Sequence, residues 1–188
     1  MKGKIFYIFF IFITVLLKGA ISEMVINENF ENLEIGTLPI KWGKYVPSGV
    51  TDVKVTSEIS IGQKSLLFLS SSLKKESIDP LLEVNFSPIE RPVKFSFDFY
   101  VENPNTEFIF QLRGKGINGP FICIGDSGML SAFDPIKGFK KLEKLIIKEW
   151  GHIEINVPKD GKIYDIIITQ NEQKNTYNNL TGQVPKCL

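Results

Sequence analysis

Few residues in this chain are of the kinds that make and break bonds, and their spacing limits what they can do. Asp98 and Glu102 stand four residues apart in the run VKFSFDFYVE. On an extended strand they share a face, about 13 Å apart at ~3.3 Å per residue. A glycosidase needs its two carboxyl groups roughly 5–10 Å apart across the scissile bond. Carboxylates from different strands can converge, and that alternative stays open. His152 is the only histidine, so a Ser-His-Asp triad would have to use it, and no G-x-S-x-G elbow precedes a helical run. Asp126-Ser127-Gly128 reads as a turn. With one histidine and two distant cysteines, the usual zinc-ligand spacings are absent. These residues favour a binding or structural role over catalysis.

Binding chemistry is better supplied. The run Val93–Val101 alternates strictly, with Phe95, Phe97 and Phe99 on one face and Lys94, Ser96, Asp98 and Tyr100 on the other. That period belongs to a strand with one buried face. The same alternation in 107–113 sends Glu107, Gln111 and Arg113 outward, against Phe108, Phe110 and Leu112. In 150–157 it sends Trp150, His152, Glu154 and Asn156 outward, against Ile153, Ile155 and Val157. If these strands are neighbours in one sheet, its exposed face carries Asp98, Tyr100, Gln111, Arg113, Trp150 and His152. Aromatic rings can stack on the apolar face of a pyranose while planar polar groups bond its hydroxyls, so the expected ligand is a polysaccharide or other glycan. The plainer reading is a polar solvent face with two amphipathic aromatics, which antiparallel sheets routinely present.

The elements that must position these residues are short strands. Apolar or alternating runs fall at 24–30, 42–46, 53–56, 65–69, 81–86, 92–101, 107–113, 120–124, 129–133, 152–157 and 163–169. Turn chemistry separates them: Gly36 and Pro39, Pro47 to Gly49, Gly62, Asp79-Pro80, Asn103-Pro104, Gly114 to Gly119, Asp134-Pro135 and Asp160-Gly161. Asp160-Gly161 between two apolar runs is a hairpin signal. The spacing predicts an all-β fold, a two-sheet antiparallel β-sandwich. Residues 137–144 are expected to make one or two helical turns.

Before that fold begins, Lys2 and Lys4 precede an apolar run over 5–17, followed by Ala20-Ile21-Ser22. This predicts a signal peptide of residues 1–22, with a mature chain starting at Glu23. At 13 residues the apolar run is short for a bilayer-spanning helix, which needs roughly 20. The expected membrane contact is therefore transient, and the destination is secreted or extracytoplasmic, including the cell surface. The remaining 166 residues (188 less 22) suit one domain, 23–188. They hold 19 basic residues against 21 acidic ones, since the leader carries Lys2, Lys4 and Lys18 and no acid. No basic stripe interrupts that balance, which argues against nucleic acid. Cys123 lies in the apolar run FICI and Cys187 is the penultimate residue. They read as a buried thiol and a tail cysteine, with a Cys123–Cys187 disulfide as the alternative. The sequons Asn85-Phe86-Ser87 and Asn179-Leu180-Thr181 match by chance often enough to carry little weight.

One pairing of phrases is distinctive. NENFENLEIGTLPIKWGKY places Phe30-Glu31, Gly36, Pro39 and Trp42, and the following ISIGQKSLLFL places Gly62, Ser65, Leu66 and Phe68. Together they resemble the start of secreted jelly-roll domains of the concanavalin A-like lectin/glucanase (laminin-G-like) superfamily. Trp150 and His152 stand where such domains commonly carry a W-x-H phrase, and the resemblance covers roughly residues 26–169. Galactose-binding-like modules open similarly and give the runner-up topology. The E-x-D-x-E strand of the superfamily's glucanases is absent. The resemblance implies a jelly roll and a carbohydrate-binding role. It also implies one structural calcium near the first strand, with Glu31 as the residue carried over. Alternatives are a glycan-active hydrolase or lyase of the same superfamily and a purely structural cell-surface domain. The resembled domains also have a closing apolar strand, whereas 170–188 here reads as a polar tail, so a copy truncated by one or two strands is expected.

Overall fold

Strict alternation turns into paired strands wherever it occurs. The computed structural model describes residues 4–15, 23–46, 51–70, 80–85, 92–105, 107–114, 117–158 and 162–182. The chain forms β1 (Lys4–Val15), β2 (Glu23–Glu28), β3 (Trp42–Tyr45), β4 (Asp52–Thr56), β5 (Ser65–Ser70), β6 (Leu81–Val84) and β7 (Val93–Val101). It continues with β8 (Phe108–Gly114), β9 (Ile117–Ile124), β10 (Met129–Asp134), β11 (Gly138–Lys144), β12 (Trp150–Val157), β13 (Ile163–Gln170) and β14 (Gln173–Thr181). One 3-10 turn at Asp126–Gly128 is the sole helical element among the described residues. The large sheet runs β14-β13-β12-β7-β1-β5-β4, with β2 paired to β1. A second sheet runs β11-β10-β9-β8, and β3 pairs with β6 as a ribbon. All pairings are antiparallel. The all-β expectation holds, and the arrangement fits a β-sandwich.

The core joins the inner faces of the two larger sheets. Phe95, Phe97 and Phe99 of β7, with Ile153 and Ile155 of β12 and Ile166 and Ile168 of β13, pack against Ile122, Ile124 and Leu130 of the smaller sheet. The Phe95 ring stacks on Phe110 at 4.3 Å between centroids, and Phe68 meets Phe108 edge-on at 5.5 Å. Each such side chain contributes about 1.5–3 kcal/mol by leaving water. Phe30 is fully buried, with Trp42 edge-on to it at 5.9 Å. The loop that follows is stitched to β4, Gly36 N–H donating to the Val55 carbonyl and Val55 N–H to that of Thr37.

Two segments differ from the sequence reading, and a third falls on the expected leader. Residues 137–144 are not helical: Gly138–Lys144 forms β11, hairpinned onto β10. The Asp134 carboxylate accepts the N–H groups of Ile136 and Lys137 at 2.8 and 2.9 Å, and Gly138 closes the turn at φ +77°. The polar stretch after Thr169 includes β14. Asn171 and Glu172 both take positive φ, the two-residue turn that matches strand twist, and bring Gln173 opposite Gln170. Only Tyr177 and Leu180 of β14 join the core, too few to show as alternation. Finally, Lys4–Val15, the core of the expected leader, runs as a strand between β7 and β5. The expected cleavage residues 20–22, the Asp160-Gly161 turn, Cys187 and Phe86-Ser87 of the first sequon lie outside the described residues.

Candidate functional site

The outer face of the large sheet brings four of the six nominated residues together. β7 and β12 pair so that Tyr100 stands opposite Trp150, Asp98 opposite His152, Ser96 opposite Glu154 and Lys94 opposite Asn156. On β13, Thr169 extends the His152 row and Ile167 the Glu154 row. Because the inward neighbours of these residues are locked in the core, the outward set is held on rigid strands rather than loops.

Within it, Asp98 Oδ1 lies 2.7 Å from His152 Nδ1. A carboxylate accepts, so Nδ1 carries the proton of this bond and Nε2 is the ring nitrogen left for a ligand. Glu154 forms an ion pair with Lys94 and accepts from Asn156 Nδ2 at 2.9 Å. Burial acts to raise the Glu154 pKa, but Lys94, the Asn156 hydrogen bond and the nearby His152 outweigh it and hold the carboxyl below its ordinary value of 4.5. The Tyr100 and Trp150 rings are 5.5 Å apart and tilted by 52°, so they meet as a bent pair rather than one coplanar shelf. Burial first, then the Glu102 carboxylate, keeps the Tyr100 phenol protonated to higher pH than usual.

Gln170 positions this site and was missed in the sequence. It is buried at the inward end of β13. Its Oε1 accepts from Ile146 N–H at 2.8 Å, and its Nε2 donates to the carbonyls of Ile146 and Glu149 at 2.9 and 3.1 Å. These bonds anchor the loop that delivers Trp150. The available signal was a glutamine at the inward parity of an otherwise apolar series, Tyr164, Ile166, Ile168.

Gln111 and Arg113 are not part of this face. They lie on β8 in the other sheet, where Arg113 Nε donates to Gln111 Oε1 at 2.7 Å. There the register places Gln111 opposite Phe121 and, on the next hairpin, Phe133 opposite Phe139, and the Phe121 and Phe133 rings meet. The three phenyl rings form a cluster with centroids 5.3–5.4 Å apart, and Phe139 is 50% exposed. This aromatic row was hidden because β9 and β10 are apolar at both parities. Cys123 is buried in the neighbouring row, its Sγ 3.8 Å from Glu107 Oε1.

Glu31 serves the loops. Its Oε1 accepts from Gln63 and Lys64 N–H at 3.0 and 3.3 Å, tying the first distinctive phrase to the second. The Lys64 ammonium binds the carbonyls of Glu31 and Leu33 at 2.9 and 2.6 Å. Calcium wants six to eight oxygens, and here the carbonyls of Glu31 and Leu33 accept from the Lys64 ammonium. Among the described residues no three His, Cys, Asp or Glu side chains gather as a metal site. No protein-family model, curated protein or solved structure matches the chain.

Proposed function

We propose that this chain is an exported, non-catalytic jelly-roll domain that binds a glycan on the outer face of its large sheet. One observation carries the reading: Tyr100, Trp150, Asp98 and His152 occupy two consecutive registered rows on one rigid face. Rings for a sugar's apolar face thus stand beside a carboxylate and an imidazole for its hydroxyls. Asp98 and Glu154 are diagonal neighbours whose backbone positions stand roughly 7–8 Å apart, near enough to raise the question of a hydrolytic carboxylate pair. A hydrolase would need one of them as a proton donor with a raised pKa. Glu154 is held the other way by Lys94, which favours binding over hydrolysis.

Glycan arrays and polysaccharide pull-downs with the whole chain test this. Retention on a polymer should fall at least about tenfold, roughly 1.4 kcal/mol, in Trp150→Ala and in Tyr100→Ala, and stay unchanged in Phe139→Ala. Loss confined to Phe139→Ala would move the site to the smaller sheet. Retention on no polymer would overturn glycan binding itself, and sugar release from a retained polymer would establish the hydrolase reading.

A further inference from the structure

Both edges of β1 are used, and among the described residues no other strand links the two halves of the large sheet. β7 pairs with it from Phe6 opposite Val101 to Val15 opposite Val93. On its other side β5 takes the first half, Lys4 opposite Ser70 to Ile8 opposite Leu66, and β2 takes the second, Ile11 opposite Glu28 to Val15 opposite Glu23. These are the residues expected to leave as a signal peptide. Without them β7 faces β5 along one half of its length and β2 along the other, across a gap of two strand spacings, about 9–10 Å, lined by backbone N–H and C=O groups along roughly 30 Å of β7.

We infer that this place is a strand-acceptor slot. Processing after Ser22 empties it, and the processed domain takes in an extended apolar strand from another polypeptide, which pairs with β7 on one edge and β5 on the other. The inference rests on the export reading and not on the glycan site. Three features specify the occupant. The gap is one strand wide and bounded on both sides by the same sandwich, so it admits a detached segment, whereas the sheet edge of a second folded copy does not fit. The flanking inward residues Leu66, Phe95, Phe97 and Phe99 are buried at 0–4% exposure, which requires an uncharged, apolar insert. β2 cannot replace it: at six residues it is shorter than nine-residue β7, it carries Glu23 and Glu28 at its ends, and it would lie parallel to β7. Recognition would be by main-chain pairing, with alternate side chains entering the core.

The test starts from the folded full chain, made without export, with a site-specific protease sequence replacing residues 17–22. After cleavage, the fragment bearing residues 4–15 should stay bound through size exclusion. An excess of synthetic peptide 4–15 with lysine tails should exchange for it one to one, and a peptide with prolines at positions 8 and 12 should not. Where the fragment is stripped off, exchange should rise at least tenfold at those amides of Ser65–Ser70 and Val93–Val101 that face β1 rather than β4 or β12, return to its former rate on adding the peptide, and stay unchanged in β8–β11. Continued protection of the β1-facing amides after the fragment leaves would overturn the inference, as would equal exchange by the proline peptide. Separately, the intact mass of exported protein reports processing. A mass starting at Met1 sinks the export reading and the emptying of the slot together, while the nicked chain still reports on strand acceptance alone.

Discussion

Gly151 lies at the centre of the candidate site's support, between Trp150 and His152 and opposite Phe99. Its φ is not in the left-handed region, so the position needs glycine for space alone. A Cβ there would sit 2.5 and 2.7 Å from Phe99 Cζ and Cε1 and 3.0 Å from Gln170 Cγ. Phe99 is fully buried and cannot swing away. Overpacking of this kind costs about 1–3 kcal/mol, offset by the ~0.5–1 kcal/mol that alanine gains over glycine inside a strand. Gly151→Ala should therefore lose about 1–2 kcal/mol, a fall in Tm of roughly 2–8 °C for a chain of this size. Circular dichroism melts with parallel urea titrations measure it. Adding Phe99→Leu makes room for the new methyl, so the double variant should be more stable than the sum of the singles by about 1 kcal/mol, within the usual range for contacting residues. A Gly151→Ala melt at or above that of the parent, or singles that add within ~0.5 kcal/mol, would refute the steric argument.

Gln170→Ala strands the backbone groups of Ile146 and Glu149 and should cost about 1–3 kcal/mol, with faster proteolysis in 145–149 as the local readout. Lys94→Met should return the Glu154 pKa toward 4.5, followed by carboxyl-carbon NMR. Since pairing holds the folded Glu154 pKa low, its stabilisation is present above pH 4.5 and lost as pH falls through the depressed value, so the stability gap between parent and variant should close on acidification. Burial, with the hydrogen bond to and charge of Glu143, pushes the Tyr177 phenol up to about 12. Because its folded value lies above its ordinary 10, its contribution is whole below pH 10 and lost as pH rises toward 12. Tyr177→Phe should flatten that alkaline limb in urea melts, and an unchanged slope would count against the assignment.

The all-β class was legible because one-sided burial writes itself into alternation: in Val93–Val101 and 150–157 the inward residues are apolar and the outward ones polar, as the structure has them. The same parity told which way Asp98, Tyr100, Trp150 and His152 point. It could not tell which strands are neighbours. β7 pairs with β12 from far along the chain, whereas β8, next in sequence, crosses to the other sheet and takes Gln111 and Arg113 with it. Strand order is set by long-range pairing and by the closing of two apolar faces on each other, terms that no local window contains. Where the local signal was itself ambiguous, tertiary contact decided: lysine-rich 137–144 became a strand because β10 offered an edge, and polar β14 was held by a hairpin turn and two inward side chains. By composition the apolar run at 4–15 reads as a leader or as a strand; pairing with β7 on one side and with β5 and β2 on the other gives it a place in the sheet.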